Sequence, residues 1–123
     1  MKALLKQLYS LEIEDDLNNY WPENPESFGS WIRAMIGPDY EEGAECFDML
    51  ICTPKWLQSE LVKNDVLLGK GMIIIDEYDH DKIRTFIEKQ ITACHADDWP
   101  NITQKLSRIS FWEYEDYRFY QYS

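Results

Sequence analysis

The stretch "FGSWIRAMIGPDYEEGAECFDMLICTP", residues 28–54, holds two apolar runs around an acidic turn, and its reading decides the fold. In the first run Phe28, Ile32, Ala34 and Ile36 share one parity, and Trp31, Arg33 and Met35 share the other. Successive strand residues point to opposite faces, so this spacing predicts a strand with one apolar face, closed by Gly37-Pro38. "DYEEGAE" reads as a turn with Gly43 as its flexible point. "CFDMLICT" is then a second strand with Phe47, Met49 and Ile51 on one face. Two such runs joined by a short Gly-containing turn predict an antiparallel hairpin.

Outward from the hairpin, "TPKWLQSELVKND" reads as a short helix. Thr53 is a natural N-cap, and Pro54 stands at the first helical position, where its missing N–H costs nothing. Asn64-Asp65 ends it. Met72 to Ile75 is apolar on both parities, which predicts a central strand covered on both faces. Ile83, Phe86, Ile87, Ile91 and Cys94 then fall on one helical stripe, and Trp99, Ile102, Leu106 and Ile109 on a second, with Asp97 or Asp98 as cap. "FWEYEDYRFY", from Phe111, alternates aromatics and reads as a last strand. Upstream, Leu4 to Ile13 suggests a first strand, and "EIEDDLNNYWPENPES" a surface loop. The sum is an α+β fold in a single domain spanning residues 1–123. It is a mostly antiparallel sheet of about four to five strands with two or three helices packed on one face.

The chain's 123 residues suffice for one core without metals or disulfides. A formal net charge of −11, from 23 acidic and 12 basic residues, repels nucleic acid and anionic membrane surfaces and attracts basic proteins. No apolar run approaches the ~20 residues of a membrane span, and the N-terminal segment lacks a signal-peptide core, so the expected location is cytoplasmic. Three cysteines agree with a reducing compartment. Cys46 and Cys52 lie ~20 Å apart along an extended strand and cannot bridge there.

Asp76, Glu77, Asp79, His80 and Asp81 crowd a strand-to-helix boundary. Asp79 suits an N-cap, and Asp81 meets the positive end of the helix dipole. Asp76 and Glu77 point to opposite faces, and nothing brings His95 towards His80. The cluster reads as a cap and solvated rim. A small metal-dependent enzyme built on Asp76–Asp81 is the alternative. Cys46 and Cys52 sit in an apolar strand that disfavours a thiolate, and no zinc or phosphate-loop spacing occurs. No catalytic, cofactor-binding or metal-binding residue is assigned, and the chain is read as a non-enzyme.

Acids mixed with aromatics are the functional signal. Three groups are candidates for contact with a protein partner: Asp39, Glu41, Glu42 and Glu45 in the hairpin turn; Trp112, Glu115, Asp116 and Tyr117 at the last strand; and Asp15, Asp16, Tyr20 and Trp21 in the first loop. Aromatics give rigid contact area, and carboxylates steer a basic partner and pair with its Arg and Lys.

In "FGSWIRAMIGP", the acidic turn, "ECFDMLICTPKWL", "IIIDEYDHDKI" and "FWEYEDYR", in that order, the sequence resembles the immunity protein 8 family of bacterial polymorphic toxin systems. The resemblance covers about Ser27 to Arg118, and the order of the segments together with the strand-Thr-Pro-x-Trp-Leu element carries it. It implies an antidote, made in the cytoplasm beside a toxin gene, that binds the toxin domain and blocks its activity. It implies no cofactor, no catalysis and no transferable site residues. Toxin domains of such systems are often basic nucleases, which an acidic partner suits. An acidic adaptor or regulatory domain is the other alternative, and the choice between monomer and homodimer stays open.

Overall fold

The computed structural model describes residues 1–114. The expected last strand beyond Tyr114, with Glu115, Asp116 and Tyr117, lies outside the described residues. Five strands and three helices follow in the order β1 (Ala3–Ser10), β2 (Gly29–Pro38), β3 (Glu45–Cys52), α1 (Pro54–Asn64), β4 (Met72–Ile74), α2 (His80–Ala93), α3 (Trp99–Leu106) and β5 (Phe111–Trp112).

β2 and β3 form the expected antiparallel hairpin, with Ile32 opposite Met49 and Ala34 opposite Phe47. The predicted parity holds along β2 and the first half of β3: Phe28, Ile32, Ala34, Ile36, Phe47, Met49 and Ile51 are buried, and Trp31, Arg33 and Met35 half-exposed, but Leu50 and Cys52 on the other face are buried as well. On the second face Arg33 makes a two-pronged ion pair with Asp48, at 2.8 and 3.0 Å. β1 lies antiparallel on the other side of β2, with a bulge between Leu5 and Gln7. It ends at Ser10, whose hydroxyl accepts the N–H groups of Glu12 and Ile13.

Thr53 caps α1 and Pro54 opens it, as expected. Asp79 caps α2 and Asp98 caps α3, each accepting a backbone N–H of the first turn. α2 and α3 supply the core with Ile83, Ile87, Ile91, Ile102 and Leu106, whereas α1 contributes no buried side chain.

Three expectations are corrected. Met72–Ile75 is not a central strand: β4 has three residues, pairs parallel with β3 at Leu50–Cys52 and stands at the edge of the sheet. Ile73 and Ile75 pack against the core, but Ile74 is 59% exposed. The reason is that β3's outer edge is shared, since β5 takes it antiparallel at Phe47 and Asp48 while β4 takes the stretch beyond. Phe86 consequently leaves its stripe's buried side and is 46% exposed beside that edge. The loop 12–27 is more than surface: Leu17 and Pro22 are buried, and Ile13 and Tyr20 pack on the core. Tyr78 anchors it, donating its hydroxyl to the Leu17 carbonyl at 3.1 Å and meeting the rings of Tyr20, Trp21 and Phe28. Burial pushes the Tyr78 phenol up to about 12.

Candidate functional site

The turn between β2 and β3 gathers the first group of candidates at one end of the sheet. Asp39, Glu41 and Glu42 are exposed there, and Glu45 is half-buried. The turn is held by its backbone. The Asp39 N–H donates to the Lys2 carbonyl at 3.1 Å, and the Lys6 ammonium, released by the β1 bulge, donates to the Glu41 carbonyl. Gly37 is required at this corner because a side chain there would fall on the Gly43 carbonyl oxygen.

The register of β5 brings Trp112, from the second group, to the same end. Its indole N–H donates to the Glu45 carboxylate at 2.8 Å, and its ring stacks on Phe47. Glu113 joins them by accepting the Cys46 N–H at 2.9 Å. Burial, then the nearby Glu113 carboxylate, push the Cys46 thiol up, which leaves it a poor nucleophile. Tyr40, at 64% exposure, stands in the turn, and Trp99 lines the same shallow cleft as Tyr40, Glu41 and Glu45. Sequence reading missed Tyr40, Trp99 and Glu113 as members. Only the acids around Tyr40 hinted at it; the other two arrive through tertiary register.

The third group lies at the far end. β1 and β2 separate it from the hairpin turn by about 30 Å, the length of a ten-residue strand. There Asp15, Asp16 and Trp21 are exposed, and Tyr20 is committed to the Tyr78 ring cluster. The structure thus joins Trp112 to the hairpin acids and leaves Asp15, Asp16, Tyr20 and Trp21 apart.

The Asp76–Asp81 boundary behaves as a cap. Asp79 accepts the Lys82 N–H at 3.2 Å, and among the described residues the His80 ring has a polar contact only with its exposed neighbour Asp81, at 3.4 Å. Asp76 and Glu77 are exposed. Among the described residues no three His, Cys, Asp or Glu side chains converge so as to hold a metal ion. None of the described helices is long and apolar enough to cross a membrane.

The hairpin end thus sets carboxylates and rings side by side. A family model described as immunity protein 8 matches residues 3–117. The chain belongs to the immunity protein 8 family. No curated protein and no solved structure matches it. The family match begins in β1 and includes all five strands and all three helices described. As a member of the immunity protein 8 family the chain is an immunity protein, with a toxin protein as its partner.

Proposed function

We propose that this immunity protein neutralises its toxin stoichiometrically, in the cytoplasm of the producing cell, by laying the acidic hairpin end over a basic surface of the toxin domain. The observation that carries this reading is the grouping of Asp39, Glu41, Glu42, Glu45 and Glu113 with Tyr40 and Trp112 at one sheet end. In a chain of net charge −11, such a cluster focuses a negative field that accelerates encounter with a cationic cleft. The rings supply the desolvated contacts that hold the complex once formed. If the toxin is a nuclease, the carboxylates stand where substrate phosphates would bind. The exposed loop acids Asp15 and Asp16, with Trp21, supply a second and more distant contact.

The test is co-expression with the toxin domain encoded beside the gene, followed by co-purification and stopped-flow association across a salt series. Wild type restores growth and co-purifies. The double variant Glu41→Lys/Glu42→Lys associates about tenfold more slowly at low salt, with a flatter salt dependence. On-rates equal to wild type at every salt concentration would remove the electrostatic mechanism.

A further inference from the structure

A second surface stands out because its chemistry runs against the rest of the chain. Between β4 and α2 lies an apolar groove of about 560 Å³, lined by Met72, Ile74, Ile83 and Phe86 and rimmed by Lys82 and Arg108. Among the described residues its lining includes no carboxylate, although the chain has 23 acidic residues. Elsewhere among the described residues Arg33, Lys55, Lys63 and Arg84 are each ion-paired with an Asp or Glu, while Lys2, Lys6, Lys89 and Lys105 are not. Among the described residues, neither Lys82 nor Arg108 has such a partner, and both are exposed.

The wall of the groove is a sheet edge. The Gly71 carbonyl accepts the Leu50 N–H at 2.8 Å, and the Ile75 N–H donates to the Cys52 carbonyl at 2.9 Å. Odd-numbered residues of this segment therefore bond to β3, and the alternation turns the N–H and C=O of Ile74 outward. Among the described residues no strand pairs with β4 on that side. Two of the chain's exposed apolar side chains stand here. Ile74, in β4, and Phe86, on α2, are both largely exposed and both line the groove. Scattered exposed apolar residues are ordinary, but an apolar groove beside a sheet edge that no described strand pairs suits an added strand and otherwise invites aggregation.

We propose that this groove takes an extended segment of the toxin as an added strand. The segment is apolar on the side facing α2 and carries carboxylates that pair with Lys82 and Arg108. Backbone bonding to Ile74 fixes the strand's direction, and Phe86 and Ile83 receive its side chains. The occupant must be extended, because the wall offers backbone donors and acceptors. It must be acidic, because Lys82 and Arg108 on the rim have no carboxylate partner among the described residues. The inference rests on the toxin being the partner, and it adds a contact of opposite polarity to the hairpin end. The two grips lie towards opposite ends of β3, since β4 pairs Leu50–Cys52 while the acidic turn adjoins Glu45.

The test uses the full chain and the toxin domain encoded beside its gene. Hydrogen exchange of the Ile74 amide is followed with and without toxin, and dissociation rates are measured for Ile74→Pro and Arg108→Glu. Ile74→Pro removes one outward N–H and leaves the β3 pairing in place; Arg108→Glu changes an exposed charge and does not threaten folding. The expected result is fast exchange at Ile74 in the free protein and at least tenfold slowing in the complex. Both variants should dissociate at least fivefold faster. Wild type that fails to bind toxin overturns this inference and the functional reading together. Wild type that binds, with unchanged dissociation in both variants and no slowing at Ile74, overturns the groove alone. Concentration-dependent protection of Ile74 without toxin would mean that a second copy occupies the edge, and would also overturn it.

Discussion

Replacing Thr53 by Val should destabilise the protein by about 2–4 kcal/mol, the sum of an orphaned buried N–H and a lost helix cap. Thr53 is fully buried. Its hydroxyl accepts the Phe28 N–H at 3.0 Å and the Trp56 N–H at 3.4 Å, and donates to the Phe28 carbonyl at 3.3 Å. One atom therefore ties the start of β2 to the start of α1 across 25 residues of sequence. Valine has the same shape but no hydroxyl. The Phe28 N–H is left without its partner in the core, which costs about 1–3 kcal/mol. The Trp56 bond is long, so its cap contributes towards the lower part of the usual range, about 1 kcal/mol. Urea unfolding is the assay: at a slope of about 2 kcal/mol/M the midpoint falls by about 1–2 M with the slope unchanged. Thr53→Ser is the control. It keeps the hydroxyl and loses one methyl group, about 1 kcal/mol. A Val variant within 1 kcal/mol of wild type, or a Ser variant as damaged as Val, would refute the hydrogen-bond account.

Two further outcomes follow from the packing. Gly37→Ala should lower stability by about 1–3 kcal/mol, because its methyl meets backbone at Gly43 and Ala44, while Gly43→Ala, with open space around it, should change little; thermal melts of the pair decide it. Burial pushes the Cys52 thiol up to about 11 from the ordinary 9.0, so the neutral thiol is favoured in the folded state. The stability this confers is complete below about pH 9 and is lost as the pH climbs through 11, at most about 3 kcal/mol. Unfolding midpoints across that window should fall more steeply for wild type than for Cys52→Ala.

The hairpin was legible because strand parity is a local property. Phe47, Met49 and Ile51 alternate whatever else the chain does, and Thr53-Pro54 announces a helix by its own chemistry. β4 was misread for the opposite reason. Its apolar run describes the strand, whereas its exposure depends on β5 claiming part of the same β3 edge from more than 30 residues away. Phe86 inherits that error, since its cover would have had to come from a strand beyond β4. The burial of Leu17 was equally hidden, because one leucine in an acidic loop has no period, and only Tyr78 reveals what it packs against. The acids and rings of the hairpin end could be read as a composition. Their grouping could not, since Trp112 reaches Glu45 only through the register of a two-residue strand.

The shared edge of β3 also orders events during synthesis. β1, β2 and β3 need nothing beyond residue 52 to pair with one another, so that meander can assemble while the ribosome is still translating the helices. Phe47 and Asp48 must wait for Phe111 and Trp112, and until then that part of the border lies bare. A nascent chain stalled between α3 and β5 would therefore present an open template to its neighbours, and such stalled chains should be the ones that chaperones retain.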